Sequence, residues 1–471
     1  MINKDQLYID GKWQPASQGT IDVVNPFTEA TIAKIPAGSP QEVDHAVLSA
    51  RAAFESWAGQ PVAARVALLE KVRQGLEARQ EEIAQLITAE VGMPLKMSKR
   101  IQASLPLMVL ESFCKLAMSY PFESSIANSN IYKEPVGVVA CITPWNYPLH
   151  QIVAKVAPAL LVGCCVVLKP SEVAPLTAFL LAEVIDAAGF PPGVFNLVTG
   201  EGATIGEVLV RHDEIDMTSF TGSVVAGKRV AALSAEEVKR VTLELGGKSA
   251  SVILDDADLA KAVKGTVNGC LLNSGQTCSA LTRMLVPESH YDEAVTLAVD
   301  LCQAFKPGDP MADDTRLGPL VSAAQRERVR NFIRTGVKEG AELLCGGPDA
   351  PAGLARGYFV QPTILGKVTA DMTIAQSEIF GPVLSIMTYR TEADAIKIAN
   401  DSRYGLSGAV WSGSNERAMK VAKEMRTGQV DINGGAFNLL APFGGFKQSG
   451  YGRELGEYGF EEFMEVKSVQ C

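Results

Sequence analysis

Histidine is scarce in this chain: four in 471 residues, at His45, His150, His212 and His290, too far apart for a local metal motif. No Cys-x-x-Cys pair occurs either. Zinc sites need convergent Cys, His or carboxylate ligands, so no metal is expected. Nine cysteines are too few for a disulfide framework in a chain this long, and the odd number leaves at least one without an intramolecular partner. A reducing, cytoplasmic compartment is expected. Basic residues are not in excess: the formal net charge is −10. Nucleic acid and anionic membranes ask for clustered Lys and Arg, so neither is expected as a partner. A long uninterrupted apolar run is missing too. The longest, from Ile152 to Leu168, is broken by Lys155, Pro158 and Gly163, and reads as a helix followed by a buried strand. The start, Met1 to Gly11, lacks the basic-then-apolar layout of a signal peptide.

What is present is length and alternation. Single cores stop growing at roughly 250 to 300 residues, so at least two domains are expected. From Val62 to Ala89 the positions Val66, Leu69, Val72, Leu76, Ile83 and Ile87 recur at roughly helical spacing, which predicts one amphipathic helix. Short apolar runs follow at Val136–Ile142, Cys165–Leu168, Val194–Val198 and Val241–Leu245, separated by stretches long enough for crossover helices. That is the pattern of a parallel sheet covered on both faces. A second series predicts strands at Ser251–Leu254, Met284–Val286, Leu384–Tyr389, Gly408–Trp411 and Gln429–Ile432, with helices at Leu259–Leu272, Ala323–Glu339, Ala393–Asn400 and Asn415–Met425. The fold class is therefore α/β, with two doubly wound domains and Glu244 near their junction.

Cys278 closes the segment Asn273-Ser274-Gly275-Gln276-Thr277-Cys278, and Glu244-Leu245-Gly246-Gly247-Lys248 stands upstream. Together they read as a thiol nucleophile and a carboxylate base, with small residues that let a substrate carbonyl and backbone come close. A buried small hydrophobe is the plainer reading of a free cysteine.

Three loops suggest a cofactor. Lys169 and Glu172 sit three apart at a strand end, where they could hold ribose hydroxyls; an isolated pair of this kind also serves as a surface ion pair. Gly200 to Gly206 resembles a dinucleotide fingerprint with one residue too many. Phe220 to Gly227 could open a helix whose N-terminus meets a phosphate, with Ser223 as hydroxyl donor or as an ordinary N-cap.

With these loops, the chain resembles the aldehyde dehydrogenase superfamily nearly end to end. The resemblance rests on Pro144-Trp145-Asn146-Tyr147-Pro148, Lys169 to Glu172, Phe220 to Gly227, Glu244 to Lys248, Gly275 to Cys278, Glu378-Ile379-Phe380-Gly381-Pro382, and Pro442-Phe443-Gly444-Gly445 with Ser449 to Arg453. It implies a Rossmann-like cofactor domain (1–117 and 136–246), a catalytic thiol domain (247–454) and a small β oligomerisation arm (118–135 and 455–471). It further implies oxidation of an aldehyde to the acid through a thiohemiacetal and a thioester on Cys278. Asn146 would hold the oxyanion, Glu244 would activate water, and Lys155 would support the site near Asn146; a snorkelling helix lysine is the other reading of Lys155. Cofactor contacts carry over onto Ile142, Trp145, Lys169, Glu172, Gly202, Ser223, Glu378 and Phe380. Glu172 accepts from a free ribose 2′-hydroxyl but repels a 2′-phosphate, so NAD is favoured over NADP.

The same resemblance implies a substrate tunnel lined by His150, Gln151, Ala154, Leu272, Thr277, Ser279, Phe437 and Phe443. Ala154 and Leu272 stand where succinic semialdehyde dehydrogenases place arginines, and Ala154 where many relatives have a bulky aromatic. A bulky apolar or aromatic aldehyde is therefore expected. His150 either bonds a polar substrate group or is structural. The arm needs a partner, since a projecting strand pair is marginal alone in water; a homotetramer is favoured, with a dimer as the alternative. A thiol-dependent hydrolase and a catalytically idle binding protein on the same scaffold are the competing functions.

Overall fold

Five short runs of buried side chains form the parallel centre of an eight-stranded sheet in the computed structural model, which describes residues 2–471. Their spatial order is Arg240–Glu244, Met217–Thr221, Val138–Ile142, Cys165–Lys169 and Phe195–Leu197. The middle three are buried at every position, as helices on both faces demand. The chain starts at the centre with Val138–Ile142, moves outward through Cys165–Lys169 and Phe195–Leu197, then crosses back to Met217–Thr221 on the other side. That reversal opens a crevice at the carboxyl ends of Val138–Ile142 and Met217–Thr221, where doubly wound sheets bind ligands.

A second sheet has six parallel strands in the order Thr363–Gly366, Val383–Tyr389, Arg283–Pro287, Ala250–Ile253, Gly408–Trp411 and Asp431–Ile432. Glu342–Cys345 adds antiparallel at one edge. A third, three-stranded sheet joins Glu123–Ile126, Ser129–Pro135 and Met464–Gln470, with Ser129 opposite Gln470 and Pro135 opposite Met464.

Two expectations change. The helix predicted from Val62 to Ala89 is two helices, Val62–Ala78 and Gln80–Val91, broken at Arg79 (φ −110°, ψ 17°). No Gly or Pro marks the break. Both halves pack on Leu176–Ala188, but the first also packs on Ser104–Ser119 and the second on the turn Ser98–Ala103. The strand Met217–Thr221 is absent from the sequence-based set because Thr218 and Ser219 interrupt its apolar run, although both are buried. Gly450–Tyr451 pairs with Leu243–Glu244 and so extends the first sheet, and Gly456–Glu461 is a helix packed on Ser104–Ser119 and Pro148–Val162. Of 455–471, only Met464–Gln470 is arm strand.

Phe460 anchors that helix. It is fully buried among Phe113, Tyr120 and Phe122, with ring centroids 6.2, 5.2 and 6.1 Å away. Phe460→Ala should therefore destabilise the protein by roughly 3 to 5 kcal/mol. Denaturant unfolding followed by tryptophan fluorescence measures this, and a loss under about 1 kcal/mol would show that the cluster does not hold the segment.

Candidate active site

The crevice of the first sheet is where the sequence-predicted residues converge. Val138–Ile142 runs into Thr143-Pro144-Trp145-Asn146, and the helix Pro148–Val162 follows, with Pro148 at its first turn where proline fits. Met217–Thr221 leads to Ser223, which caps the helix Val224–Ala235 by accepting from the Ala226 N–H at 3.2 Å. The neighbouring strand Arg240–Glu244 ends on Glu244, whose carbonyl accepts from the Gly222 N–H at 3.1 Å.

Cys278 arrives from the other sheet through a tight left-handed passage. Asn273, Ser274 and Gly275 have φ of 52°, 57° and 74° after the helix Leu259–Leu271. A Cβ on Gly275 would stand 2.0 Å from the Gly381 carbonyl oxygen, so only glycine fits there. Side chains hold the two non-glycine residues in place. Ser274 Oγ donates to the Gly318 carbonyl at 2.8 Å, and Gln276 both donates to the Asn273 carbonyl (3.1 Å) and accepts from the Val321 N–H (2.9 Å).

These elements form a cleft of about 200 Å³, lined among others by Trp145, Asn146, Ser223, Glu244, Cys278, Glu378 and Phe380. Asn146 Nδ2 donates one hydrogen to the Gln276 carbonyl at 3.1 Å, which leaves its second for a ligand. Glu244 is buried, and neither carboxylate oxygen has a partner. Burial, and next the negative Glu454, hold its carboxyl well above the usual range; Lys155 offsets this only in part. The Cys278 thiol is likewise raised, by burial first and then by the charges of Glu244, Glu378 and Glu454. Both reactive groups are thus biased to their protonated forms.

Lys155 is buried in an ion pair with Glu454, not snorkelling to solvent. The pair borders a second cavity on Glu244, only about 10 Å³ in volume, with Phe443, Tyr451 and Arg453 in its wall.

The expected cofactor residues are distributed along the crevice. Lys169 is buried, its Nζ 3.0 Å from Glu172 Oε2, at the end of Cys165–Lys169. A Cβ on Gly202 would meet nothing nearer than the Lys169 Nζ at 4.0 Å, so open space lies over this pair. Ile142 ends the central strand. Glu378 accepts from the Gly247 N–H at 3.0 Å, and burial pushes its carboxyl up to about 7. Phe380, at a left-handed φ of 60°, meets Trp145 edge-on with centroids 5.4 Å apart. A buried cation beside a carboxylate, an open glycine, a capped helix N-terminus and two aromatic edges suit a dinucleotide.

The tunnel residues gather less fully. Gln151 lines the cleft and Phe443 the second cavity; His150, Ala154, Leu272, Thr277, Ser279 and Phe437 line neither. Ala154 is packed within its helix, and Phe437 is exposed with its ring edge-on to Phe443 at 6.0 Å. Burial brings the His150 imidazole down to about 4, and its Nδ1 has no partner. Sequence reasoning passed over Tyr147, whose hydroxyl shares a 2.8 Å hydrogen bond with Thr277 Oγ1, although it sits inside a motif already singled out. It also passed over Gln325 and Arg328, which line the cleft from a polar helix that carries no distinguishing signal.

A family model described as "Aldehyde dehydrogenase family" matches residues 13–469. The chain belongs to the aldehyde dehydrogenase family. It is 52% identical over 466 residues to a 3-succinoylsemialdehyde-pyridine dehydrogenase of a Pseudomonas species, covering 98% of each chain. Among solved structures it is similar to an aldehyde dehydrogenase C mutant of Pseudomonas syringae complexed with NAD+ and octanal. That match has a TM-score of 0.98 at 45% identity, covering 99% of this chain and 96% of that one. It is also similar to a Mycobacterium tuberculosis aldehyde dehydrogenase complexed with NAD+, with a TM-score of 0.98 at 42% identity, covering 100% and 98%. Family membership favours aldehyde oxidation over the hydrolase and idle-scaffold alternatives.

The electrostatics make a test. With its pKa raised, the Cys278 thiol should be alkylated by iodoacetamide at a rate that still climbs at about pH 9, past the ordinary thiol midpoint of about 8.5. Peptide mass spectrometry across the pH series reads the site individually. A plateau below about pH 8 would mean that the resting site stabilises the thiolate instead.

Proposed function

We propose that this protein is an NAD-dependent, non-acylating aldehyde dehydrogenase that converts bulky apolar or aromatic aldehydes to carboxylic acids. The observation that carries the reading is one cleft that holds three complementary groups: the Cys278 thiol, the Asn146 amide with a free donor, and the Glu244 carboxyl with two free oxygens. Cys278, once deprotonated, attacks the carbonyl carbon and forms a thiohemiacetal. The new oxyanion lies against Asn146 Nδ2 and the Cys278 N–H, and each such donor contributes roughly 3 to 4 kcal/mol when aimed at developing charge. The chemistry that bound NAD supplies is hydride acceptance, which leaves a thioester on Cys278.

Glu244 then takes a proton from water, which attacks the thioester and releases the acid. In its ionised form, a carboxyl whose pKa burial has raised is a stronger base for that proton transfer than an ordinary one. Lys155, paired with Glu454 behind Glu244, supports this carboxyl from the second cavity. Lys169, Glu172, Gly202 and Ser223 hold the adenosine and phosphate end, while Ile142, Trp145, Glu378 and Phe380 hold the nicotinamide end. Glu172 favours NAD over NADP by charge.

Two points support the substrate class. The Pseudomonas relative is named for a pyridine-bearing semialdehyde, and the Pseudomonas syringae structure holds octanal. A cytoplasmic setting fits nine cysteines, none of them paired in a disulfide. The assembly is a homotetramer, or at minimum a dimer, in which the arm covers a neighbour's sheet edge; Ile126 and Val466 on the arm are 67% and 66% exposed in the single chain.

An aldehyde panel with NAD and NADP, followed by reduced-cofactor absorbance, tests the reaction. NAD should be preferred and octanal-sized or aromatic aldehydes should exceed propanal in kcat/KM; no aldehyde-dependent signal would overturn the reading. Cys278→Ser should abolish turnover with NAD binding intact, and Glu244→Gln should give a burst of reduced cofactor followed by slow turnover. Loss of burst and steady state together would move Glu244 to thiol activation. For the assembly, light scattering across a dilution series should report a multiple of the 50.2 kDa chain, and a stable monomer would refute it.

A further inference from the structure

The helical stretch Leu95–Ser119 contains a π-helical turn, Ser98–Ala103. Such turns are rare and frequently lie at functional sites. Here the turn is fixed at its start by buried side chains: Thr88 Oγ1 lies 2.9 Å from Ser98 Oγ, which in turn donates to the Met93 carbonyl at 3.3 Å. Ser98, Gln102 and Ala103 of the turn are buried, and Gln102 is the one with a long polar side chain. Its Nε2 donates to the Asn146 backbone carbonyl at 2.8 Å, while its Oε1 has no partner. Burying an amide with one atom unsatisfied is unfavourable, so packing alone would select an apolar side chain at this position.

The Asn146 carbonyl is clamped from a second side by Asn273 Nδ2 at 3.1 Å. Asn273 belongs to the left-handed passage that delivers Cys278. One carbonyl oxygen thus collects the first domain's long helix and the nucleophile's own loop. We infer that Gln102 is a positioning residue for the oxyanion-binding amide: its bond to the Asn146 backbone fixes where the Asn146 side chain points relative to Cys278. This rests on the reading of Asn146 as the oxyanion donor. Gln102 itself touches neither the thiol nor the cleft; it acts through the backbone of Asn146.

A double-mutant cycle with kcat as the readout tests this. Gln102→Met, of similar length but without a donor, should lower kcat roughly tenfold to a hundredfold, the scale of a 1 Å misplacement. NAD affinity by fluorescence and the Cys278 alkylation rate should stay within about twofold, since neither uses the oxyanion site. In the Asn146→Ala background the same substitution should cost less than about twofold more. Equal fold losses in both backgrounds would reduce Gln102 to a general structural role, and wild-type kcat in Gln102→Met would overturn the inference outright. Should Met not be tolerated, Gln102→Glu keeps the shape. Burial favours its protonated, donating form, so activity should be near wild type at low pH and fall as pH rises through the carboxyl pKa. Activity lost at every pH would count against the hydrogen bond. An unchanged kcat in Asn146→Ala alone would instead remove the oxyanion reading beneath it.

Discussion

The active cleft depends on how closely two backbones can approach across the junction of two sheets. Glu244 ends a strand of the first sheet and Cys278 follows a helix of the second, so their meeting is settled by the segments between. A Cβ on Gly247 would lie 2.5 Å from the Cys278 carbonyl oxygen, and one on Gly246 would lie 2.2 Å from Glu378 Oε2. Both contacts lie below any distance a real side chain tolerates. Ser449 closes the junction from a third direction: its Oγ donates to the Gly246 carbonyl at 2.6 Å and accepts from the Gly405 N–H at 2.9 Å. Glycine is used here for proximity, and the hydroxyl locks what proximity permits.

That closeness shapes the electrostatics. Three carboxyls, Glu244, Glu378 and Glu454, surround a thiol in a poorly solvated place, with Lys155 committed to one of them. Negative charge near sulfur disfavours thiolate, and burial disfavours charge on every group present. The arrangement is therefore not a pre-ionised thiol with a spare base. Cys278 and Glu244 are both biased toward their protonated forms, beside the Lys155–Glu454 ion pair.

Much of this was legible in the residues. The central strands stood out because both faces are covered, so their runs are uniformly apolar and flanked by Gly and Pro. Cys278, Glu244 and Asn146 lay within recognisable motifs, and the structure brings all three to one cleft. What stayed hidden depends on tertiary packing. The break at Arg79 separates half-helices that share one neighbour but part on the others, and local spacing runs across it unchanged. Met217–Thr221 hid because a central strand can bury hydroxyls that bond sideways, as Ser219 does with Thr242 at 3.1 Å. Gln102 gave no sign at all, since a glutamine in a helix is ordinarily a surface residue.

The arm carries a consequence for the order in which the molecule is built. Ser129–Pro135 finds its outer neighbour in Met464–Gln470, more than three hundred residues further along. During synthesis the hairpin emerges early and keeps one edge open while both large sheets fold behind it. Such an edge invites the wrong strand. The polar character of Glu123–Ile126 and the mixed face of Ser129–Pro135 make it a poor template for chance pairing. Its proper neighbour is tethered through the Phe460 helix, which docks only once the first domain is formed. Completion of this small sheet is thereby postponed until the body of the protein exists to hold its last strand.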